Sequence, residues 1–407
     1  MDAREIAKEI YYVGVNDRVT ELFEALWPLP YGVSYNSYIV RGSDKTALID
    51  TVKIDEVRQF LDNVKGVEQK AVIDYLVINH MEPDHSGSIP EVLANFPEIK
   101  IIGNRQTVGM VKGFCGVHDD ARFIVVNDGD TVDLGGRRLK FFLTPMVHWP
   151  ETMMTYVEDE KLLFSGDAFG TFGALDGNVI DCEMDISTYI EEMYRYYSNI
   201  VGKYGRFVSN ALAKLKGTDI RTICPTHGPV WRDHINEVIE ITRRLAAYES
   251  EPGVVIVYGS MYGNTAEAAN ALASELAALG VRKIILHNAS HSSMSRIISD
   301  AFRYEAIVVG GATYSMRLFP KIEEFLIAME TREIKNKVFA AFGSYTWAPG
   351  VTVNKISEYA ERMKLPLDAS FSFKQKLDAD SRNALREFAR QIVNAIEVRE
   401  THSKANA

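Results

Sequence analysis

The chain of 407 residues has only three cysteines, Cys115, Cys182 and Cys224, and no Cys-x-x-Cys pair. That spacing excludes a rubredoxin-type module or a cysteine-ligated iron–sulfur cluster within it, and so few thiols suit a reducing compartment. Cys224 stands three residues before a histidine, but its flank Ile223-Cys224-Pro225 reads as a buried strand end, so a small core residue is expected. No apolar run approaches the roughly 20 residues of a membrane span. The opening stretch Met1-Asp2-Ala3-Arg4-Glu5-Ile6 holds acids and no apolar core, so no signal peptide is expected and a cytoplasmic location is. Positive charge is in the minority, with 45 Lys and Arg against 55 Asp and Glu, and the net charge of −10 gives nucleic acid no electrostatic hold. Gly-x-x-x-x-Gly-Lys and Gly-x-Gly-x-x-Gly are both missing, so neither a P-loop nor a dinucleotide fingerprint is present.

What is there is the composition of a globular protein, 46% hydrophobic and 25% charged. Since single cores rarely grow past about 250–300 residues, two domains are expected. The break falls at Glu251-Pro252-Gly253, between a closing helix over Asp233–Ser250 and a fresh strand, giving domains 1–250 and 252–407. Strand-like alternation runs from about residue 8 to 52, and Asp55–Val64 has helical spacing with Val57, Phe60, Leu61 and Val64 on one side.

Behind the apolar strand Asp74-Tyr75-Leu76-Val77-Ile78-Asn79 comes His80-Met81-Glu82-Pro83-Asp84-His85. In an extended segment residues two apart point the same way, so His80, Glu82 and Asp84 are expected to converge while His85 turns to a second point. Four ligand-type side chains in six residues exceed the needs of one metal and suggest two. Taken alone, such a run is a charged surface turn. The pattern recurs, however: strand-like Leu139–Leu143 leads to His148, Lys161–Gly166 ends in Asp167, and Ile220–Thr226 ends in His227. Apolar runs that each deliver one His or Asp into a loop are how a scaffold assembles a site from distant segments.

The order His-x-x-x-Asp-His, then His, Asp and His at wide spacing, resembles the metallo-β-lactamase fold, an αββα sandwich with metals at one sheet edge. Its hydrolases carry His-x-His-x-Asp-His, whereas here the second His is Glu82. A carboxylate in place of an imidazole makes the site harder and more anionic, which suits iron over zinc. Asp167 is the natural bridging carboxylate.

The second domain opens with strand Val254–Tyr258, then Gly259-Ser260-Met261-Tyr262-Gly263-Asn264-Thr265, then a helix from Ala266 to Leu279. A strand, a Gly/Ser/Thr loop and a helix in that order make an anion site from backbone N–H groups, hydroxyls and the helix dipole. The loop has no basic residue and resembles that of flavodoxins. Further strand-like runs Lys283–Leu286, Ala306–Val309 and Lys337–Phe342 give a doubly wound pattern, and the flavodoxin resemblance implies a five-stranded parallel sheet. Two more loops, Gly311-Ala312-Thr313-Tyr314-Ser315 and Gly343-Ser344-Tyr345-Thr346-Trp347, then fall at its carboxyl edge, with Tyr314, Tyr345 and Trp347 as flat surfaces for an isoalloxazine ring. FMN is expected on these three loops.

The two domains together resemble the flavodiiron proteins (A-type flavoproteins) over nearly the whole chain. That resemblance implies one iron on His80, Glu82 and His148, a second on Asp84, His85 and His227, Asp167 bridging, and FMN on the C-terminal loops. It implies reduction of O2 to water or of NO to N2O, with electrons passing from FMN to iron, in head-to-tail homodimers or dimers of dimers that pair the FMN of one subunit with the iron of the other. Donors in the family are rubredoxin or, in methanogenic archaea, reduced coenzyme F-420. Scattered basic residues offer no docking face for an acidic rubredoxin, so the deazaflavin is the donor expected here, with Arg317 and Trp347 near the ring. In Tyr194-Arg195-Tyr196-Tyr197, Tyr197 is the candidate phenol near bound oxygen. A di-zinc hydrolase with a flavin appendage, and a flavodoxin-like carrier with a structural metal domain, are the competing classes.

Overall fold

The computed structural model describes residues 3–67 and 72–405. Met1 and Asp2, the start of the stretch in which no signal peptide is expected, lie outside them. The chain divides into two compact units, Met1–Tyr197 with Tyr204–Ala246, and Ser198–Lys203 with Ala247–Ala407.

Among the described residues, the first unit is built on two main sheets. One has seven strands in the order Arg4–Ala7, Ile10–Tyr12, Tyr38–Arg41, Thr46–Ile49, Tyr75–Val77, Lys100–Gly103 and Phe123–Val125. The other has five: Thr131–Asp133, Arg138–Leu143, Met153–Val157, Leu162–Gly166 and Thr222–Pro225. Every residue of the last three is buried, as in strands covered on both faces. With its flanking helices this is the αββα arrangement expected. The helix read over Asp55–Val64 is a 3-10 turn, Ile54–Glu56, running into an α-helix, Val57–Val67. The closing helix is shorter than its apolar spacing suggests, Ile235–Ala246. Its entry is tied down instead by buried Asp181, whose carboxylate accepts from the backbone N–H of Arg232, Asp233 and His234 at 2.8–3.3 Å. Cys224 is a buried strand residue beside Phe164, and burial pushes its thiol well above the usual range.

The two sheets are sewn together along one edge. Asn36 donates through Nδ2 to Pro225 O and Gly228 O, and the Tyr38 hydroxyl donates to Pro225 O at 2.7 Å. From the opposite side Met153 N donates to Asn79 O, and Thr155 Oγ1 to Asn79 Oδ1. Strands Leu162–Gly166 and Thr222–Pro225 run parallel, with a register shift between Phe164 and Gly166 that pairs Gly166 with Pro225, so two side chains just past their ends emerge at the same edge. These are Asp167 and His227.

The second unit carries a parallel sheet in the order Ile284–Asn288, Glu251–Gly259, Tyr304–Ala312, Val338–Tyr345, Leu367–Lys374. The sequence period of two is visible in its cores. Val255, Val257, Ile307, Val309, Phe339 and Ala341 pack on one face with Ile298, Phe325 and Ile356 of three helices. Their neighbours Val254, Ile256, Ala306, Val308 and Ala340 pack on the other with Leu272 and Leu276 of one helix and Leu385 and Phe388 of another. Glu251-Pro252-Gly253, read as a break, is the start of strand Glu251–Gly259: Glu251 pairs with Tyr304, and a register shift before Val254 accommodates the proline.

Candidate metal centre and flavin site

The turn after Tyr75–Val77 is set by a buried carboxylate. Asp50 Oδ1 accepts from the N–H of Asn79 at 2.7 Å and of His80 at 3.3 Å, while its Oδ2 accepts from Asn79 Nδ2. Burial raises Asp50 to about 6 despite the nearby His85 and these bonds. The chain stays extended through Glu82 and then enters a helical turn, Pro83–Ser86, with proline in its first position. This corrects the alternation expected from sequence. His80 and Glu82 do point together, but the turn carries Asp84 away to join His85.

Two candidate metal groups result, His80, Glu82, His148 and Asp167 in one, and Asp84, His85 and His227 in the other. The donor atoms within each lie within 4.8 Å of one another. His148 Nε2 is 3.0 Å from both Glu82 Oε2 and Asp167 Oδ2, and His80 Nε2 is 3.3 Å from Glu82 Oε2. His85 Nε2 and His227 Nε2 are 3.0 Å apart, each 3.3 Å from Asp84 Oδ2. Asp167 spans the two groups, with Oδ2 toward His148 and Oδ1 3.3 Å from His85. Thr226 Oγ1 donates to that Oδ1 at 2.5 Å and fixes the carboxylate plane.

Such crowding shifts protons. Burial alone would lower His148, but hydrogen bonds to Asp167 and Glu82 outweigh it and bring it to about 9. The same contest holds His80 well above its ordinary value through Asp167 and Glu151. Conversely, burial works to raise Asp167 and Glu82, yet their histidine partners hold both below the usual carboxylate range. The donors also fit metal ions on a separate count. Both Asp84 oxygens and His85 Nδ1 are buried without a hydrogen bond, a costly state unless something positive meets the carboxylate. An all-nitrogen-and-oxygen set with three carboxylates suits iron better than zinc.

Sequence reasoning missed several residues here. Glu151 accepts from His80 Nδ1 at 2.8 Å. It follows His148 by three positions, and a buried carboxylate behind a ligand histidine could have been sought there. The phenol set against the cluster is Tyr196, its ring 5.5 Å from that of His227 and its hydroxyl held well above its ordinary value by burial and by Asp167, Asp84 and Glu82. Tyr197, the phenol expected there from sequence, is the next residue, also buried, where the α-helix gives way to a π-helical turn over Tyr197–Val201. Beside the two donor groups lies a cavity of about 550 Å3 reaching Glu82 and Asp84, walled by Leu22, Phe23, Tyr35 and Ile54. A hairpin, Leu22–Phe23 with Trp27–Pro28, hangs Glu24 into it. Glu24 and Ala25 both have left-handed backbones (φ of 50° and 57°) at the centre of a turn that the N–H of Leu26 closes on Phe23 O at 2.9 Å, within a three-residue connection. Buried Arg195 holds the hairpin by donating to Pro28 O at 2.9 Å. Burial and Glu82 raise Glu24 to about 7, against a 3.0 Å bond from Trp27 Nε1.

In the second unit a cavity of about 150 Å3 sits at the carboxyl edge of the parallel sheet. Ser260, Met261, Tyr262, Asn264 and Thr265 line it from the first loop, Ala312 and Thr313 from the second, and Ser344, Tyr345 and Thr346 from the third. Gly263, Tyr314, Ser315 and Trp347 belong to the same loops outside that lining; Tyr314 and Trp347 are exposed. Gln375, just past the last strand, is a lining residue that sequence reasoning missed. Ser260 Oγ accepts from the N–H of Gly263 and Ala266, and Thr265 bonds to Ser344 at 2.8 Å, so two loops are locked together around the helix start at Asn264. The cavity has the size of a phosphate and part of its ester chain, smaller than a whole ligand pocket. A flavin ring would lie at its open rim, where Tyr262 is 92% exposed.

Comparison with known proteins matches each of the two units to a known family. Residues 33–228 match the model of the ODP family beta lactamases, and residues 256–388 that of the flavodoxins. The anaerobic nitric oxide reductase flavorubredoxin of Escherichia coli O1:K1 is 33% identical over 392 residues, covering 95% of this chain and 81% of that protein. Among solved structures, the rubredoxin oxygen:oxidoreductase of Desulfovibrio gigas superposes with a TM-score of 0.92 at 28% identity, covering 98% of this chain and 99% of that one. The flavodiiron protein of Giardia intestinalis gives 0.91 at 25% identity, covering 98% of each. With a β-lactamase-like unit, a flavodoxin unit and donor sets that fit a di-iron centre and FMN, the chain belongs to the flavodiiron protein family.

Proposed function

We propose that this protein reduces O2 to water, or NO to N2O, at a di-iron centre supplied with electrons by FMN. The observation that carries the reading is the pair of histidine–carboxylate groups meeting at Asp167. His80, Glu82 and His148 would hold one iron, Asp84, His85 and His227 the other, and Asp167 both. Ser260, Thr265 and the neighbouring N–H groups would hold the FMN phosphate without a cation. Bound iron supplies redox equivalents and Lewis acidity to the diatomic, and FMN stores electron pairs that it releases singly.

The chain's own residues shape the rest. The apolar wall of Phe23, Leu22 and Ile54 admits a small uncharged gas and excludes charged oxidants. Reducing O2 to two waters takes four electrons and four protons, and reducing two NO to N2O and water takes two of each. Glu24, near 7 and close to Glu82, can hold a proton on its carboxyl at neutral pH and pass it inward. The Tyr196 hydroxyl keeps its proton throughout that range and can donate a hydrogen bond to bound substrate.

For the donor, the relatives named above for rubredoxin favour a rubredoxin over reduced coenzyme F-420, for which no comparable support exists. We further propose a head-to-tail homodimer or a dimer of dimers, a cytoplasmic location, and working domains 1–250 and 252–407; among the described residues no helix is long and apolar enough to cross a membrane. Metal analysis with O2-electrode and NO-electrode assays tests the reaction. Two irons and one FMN per chain with turnover of either gas supports it, and a protein fully active with zinc alone refutes it. Stopped-flow reduction of bound FMN by each donor decides between them; rapid reduction by the deazaflavin and none by rubredoxin would reverse the assignment.

A further inference from the structure

Glu151 is wholly buried, with both its side-chain oxygens in the interior. Its Oε1 accepts twice, from His80 Nδ1 at 2.8 Å and from the backbone N–H of Met81 at 2.8 Å, while Oε2 has no hydrogen bond. A carboxylate in such a place is expensive, and packing alone would be served better by an apolar side chain. What it faces explains it. The other nitrogen of the same ring, His80 Nε2, points at Glu82 and Asp167, 3.3 and 3.5 Å away. An imidazole that offers Nε2 to a metal keeps its proton on Nδ1, and that N–H needs an acceptor.

The other rings are backed differently. His227 Nδ1 lies 2.7 Å from the carbonyl oxygen of Ser34, a neutral acceptor. His85 Nδ1 is buried with no hydrogen bond. A charged acceptor therefore hydrogen-bonds the ring of His80 and a carbonyl that of His227, whereas Nδ1 of His85 has no hydrogen bond, although the Asp50 carboxylate lies near that ring. The two metal positions are supported unequally.

We propose that Glu151 is a positioning residue for the iron held by His80, Glu82 and His148, an inference that rests on reading His80 as a ligand. Its carboxylate fixes the tautomer of His80, aims Nε2 and strengthens the ring as a donor. Through Met81 N–H it also holds the backbone between His80 and Glu82, so both side chains of that group share one anchor. The position built from Asp84, His85 and His227 draws on none of these bonds.

The test is position-specific. Glu151→Gln keeps the shape and removes the charge; Glu151→Leu removes the acceptor as well. Holoprotein crystals of each are exposed to an iron chelator for timed intervals, and anomalous diffraction at the iron edge reports the occupancy of each position. Expected is a loss of roughly 10–100-fold in retention at the His80 position, larger for Leu than for Gln, with the Asp84 position unchanged. Equal loosening at both positions would show a merely structural role and overturn the proposal, as would wild-type release in the Gln variant, which settles the matter even if Leu does not fold. Wild-type protein that takes no iron at either position would sink the metal assignment beneath the proposal, whereas a normally loaded wild type with an unaffected Gln variant would sink Glu151 alone.

Discussion

Glu82 stands where hydrolases of the β-lactamase fold carry a second histidine, and its two histidine neighbours at 3.0 and 3.3 Å hold it ionised against burial. Exchange for imidazole removes one negative charge from the group and adds a donor that zinc favours. Glu82→His should therefore move metal content from iron toward zinc and abolish gas reduction, which metal analysis of purified protein would show; unchanged iron content would count against the reading. The protons tell a second story. His148 is raised to about 9, so in the metal-free protein its proton stabilises the fold below about 6.5, and that contribution is lost as pH rises through 9. A metal must displace this proton, so apparent affinity should climb with pH up to about 9, by about tenfold per unit for each proton released. Zinc competition against a chelator between pH 7 and 9.5 measures the slope; a flat profile would mean His148 is not displaced. His148, Asp167 and His227 were each legible in sequence because each closes an apolar run. Tyr196, Glu24 and Glu151 were not, since their roles come from contacts between segments far apart in the chain.

Among the elements, the turn at Pro83 shows where sequence periodicity misleads. Alternation is valid only while the chain is extended, and the proline starts a helical turn after Glu82 that regroups Asp84 with His85. Four of the five strands of the flavodoxin unit were legible, because alternate residues of the central ones feed two separate cores; the edge strand Leu367–Lys374, exposed and polar at every second residue, was not read. The unit's first loop makes a sharper prediction. With no cation at hand, phosphate affinity must come from the helix that starts at Asn264, from N–H groups and from hydroxyls, and Ser260 also shapes the loop through the N–H of Gly263 and Ala266. Replacing Ser260 and Thr265 together by Ala removes two hydroxyls and the bond to Ser344. At about 1 kcal/mol or more for each hydrogen bond, FMN affinity should fall by at least about tenfold. Fluorescence titration of the deflavinated protein with FMN reports this, and an unchanged dissociation constant would move the phosphate elsewhere.

Taken whole, the chain presents two apolar rims. On the flavin side Tyr262 and Trp347 are 92% and 82% exposed, and beside the metal cavity Val19 and Leu26 are 87% and 62% exposed. Exposed apolar groups beside functional sites mark surfaces that another protein covers. A two-fold pairing makes the same contact twice, and the head-to-tail dimer proposed above would set the flavin rim of one chain against the metal rim of the other. Such a dimer has a consequence that separates transfer between chains from transfer within one. A variant unable to hold iron, His80→Ala with Asp167→Ala, keeps its FMN; the variant Ser260→Ala with Thr265→Ala keeps its iron. The iron-free variant alone should be inactive, and the flavin variant alone inactive at FMN concentrations well below its weakened dissociation constant. Dissociated and reassembled together, half the dimers are mixed on statistical grounds, and each mixed dimer has one intact flavin facing one intact iron pair. Activity should then return to about a quarter of the wild-type value, the product of those two halves. If electrons pass only within a chain, no mixed dimer has a working pair and the mixture stays inactive. An inactive mixture in which native mass spectrometry shows the mixed dimer would therefore reject transfer between subunits, while leaving the metal and flavin assignments of each chain standing.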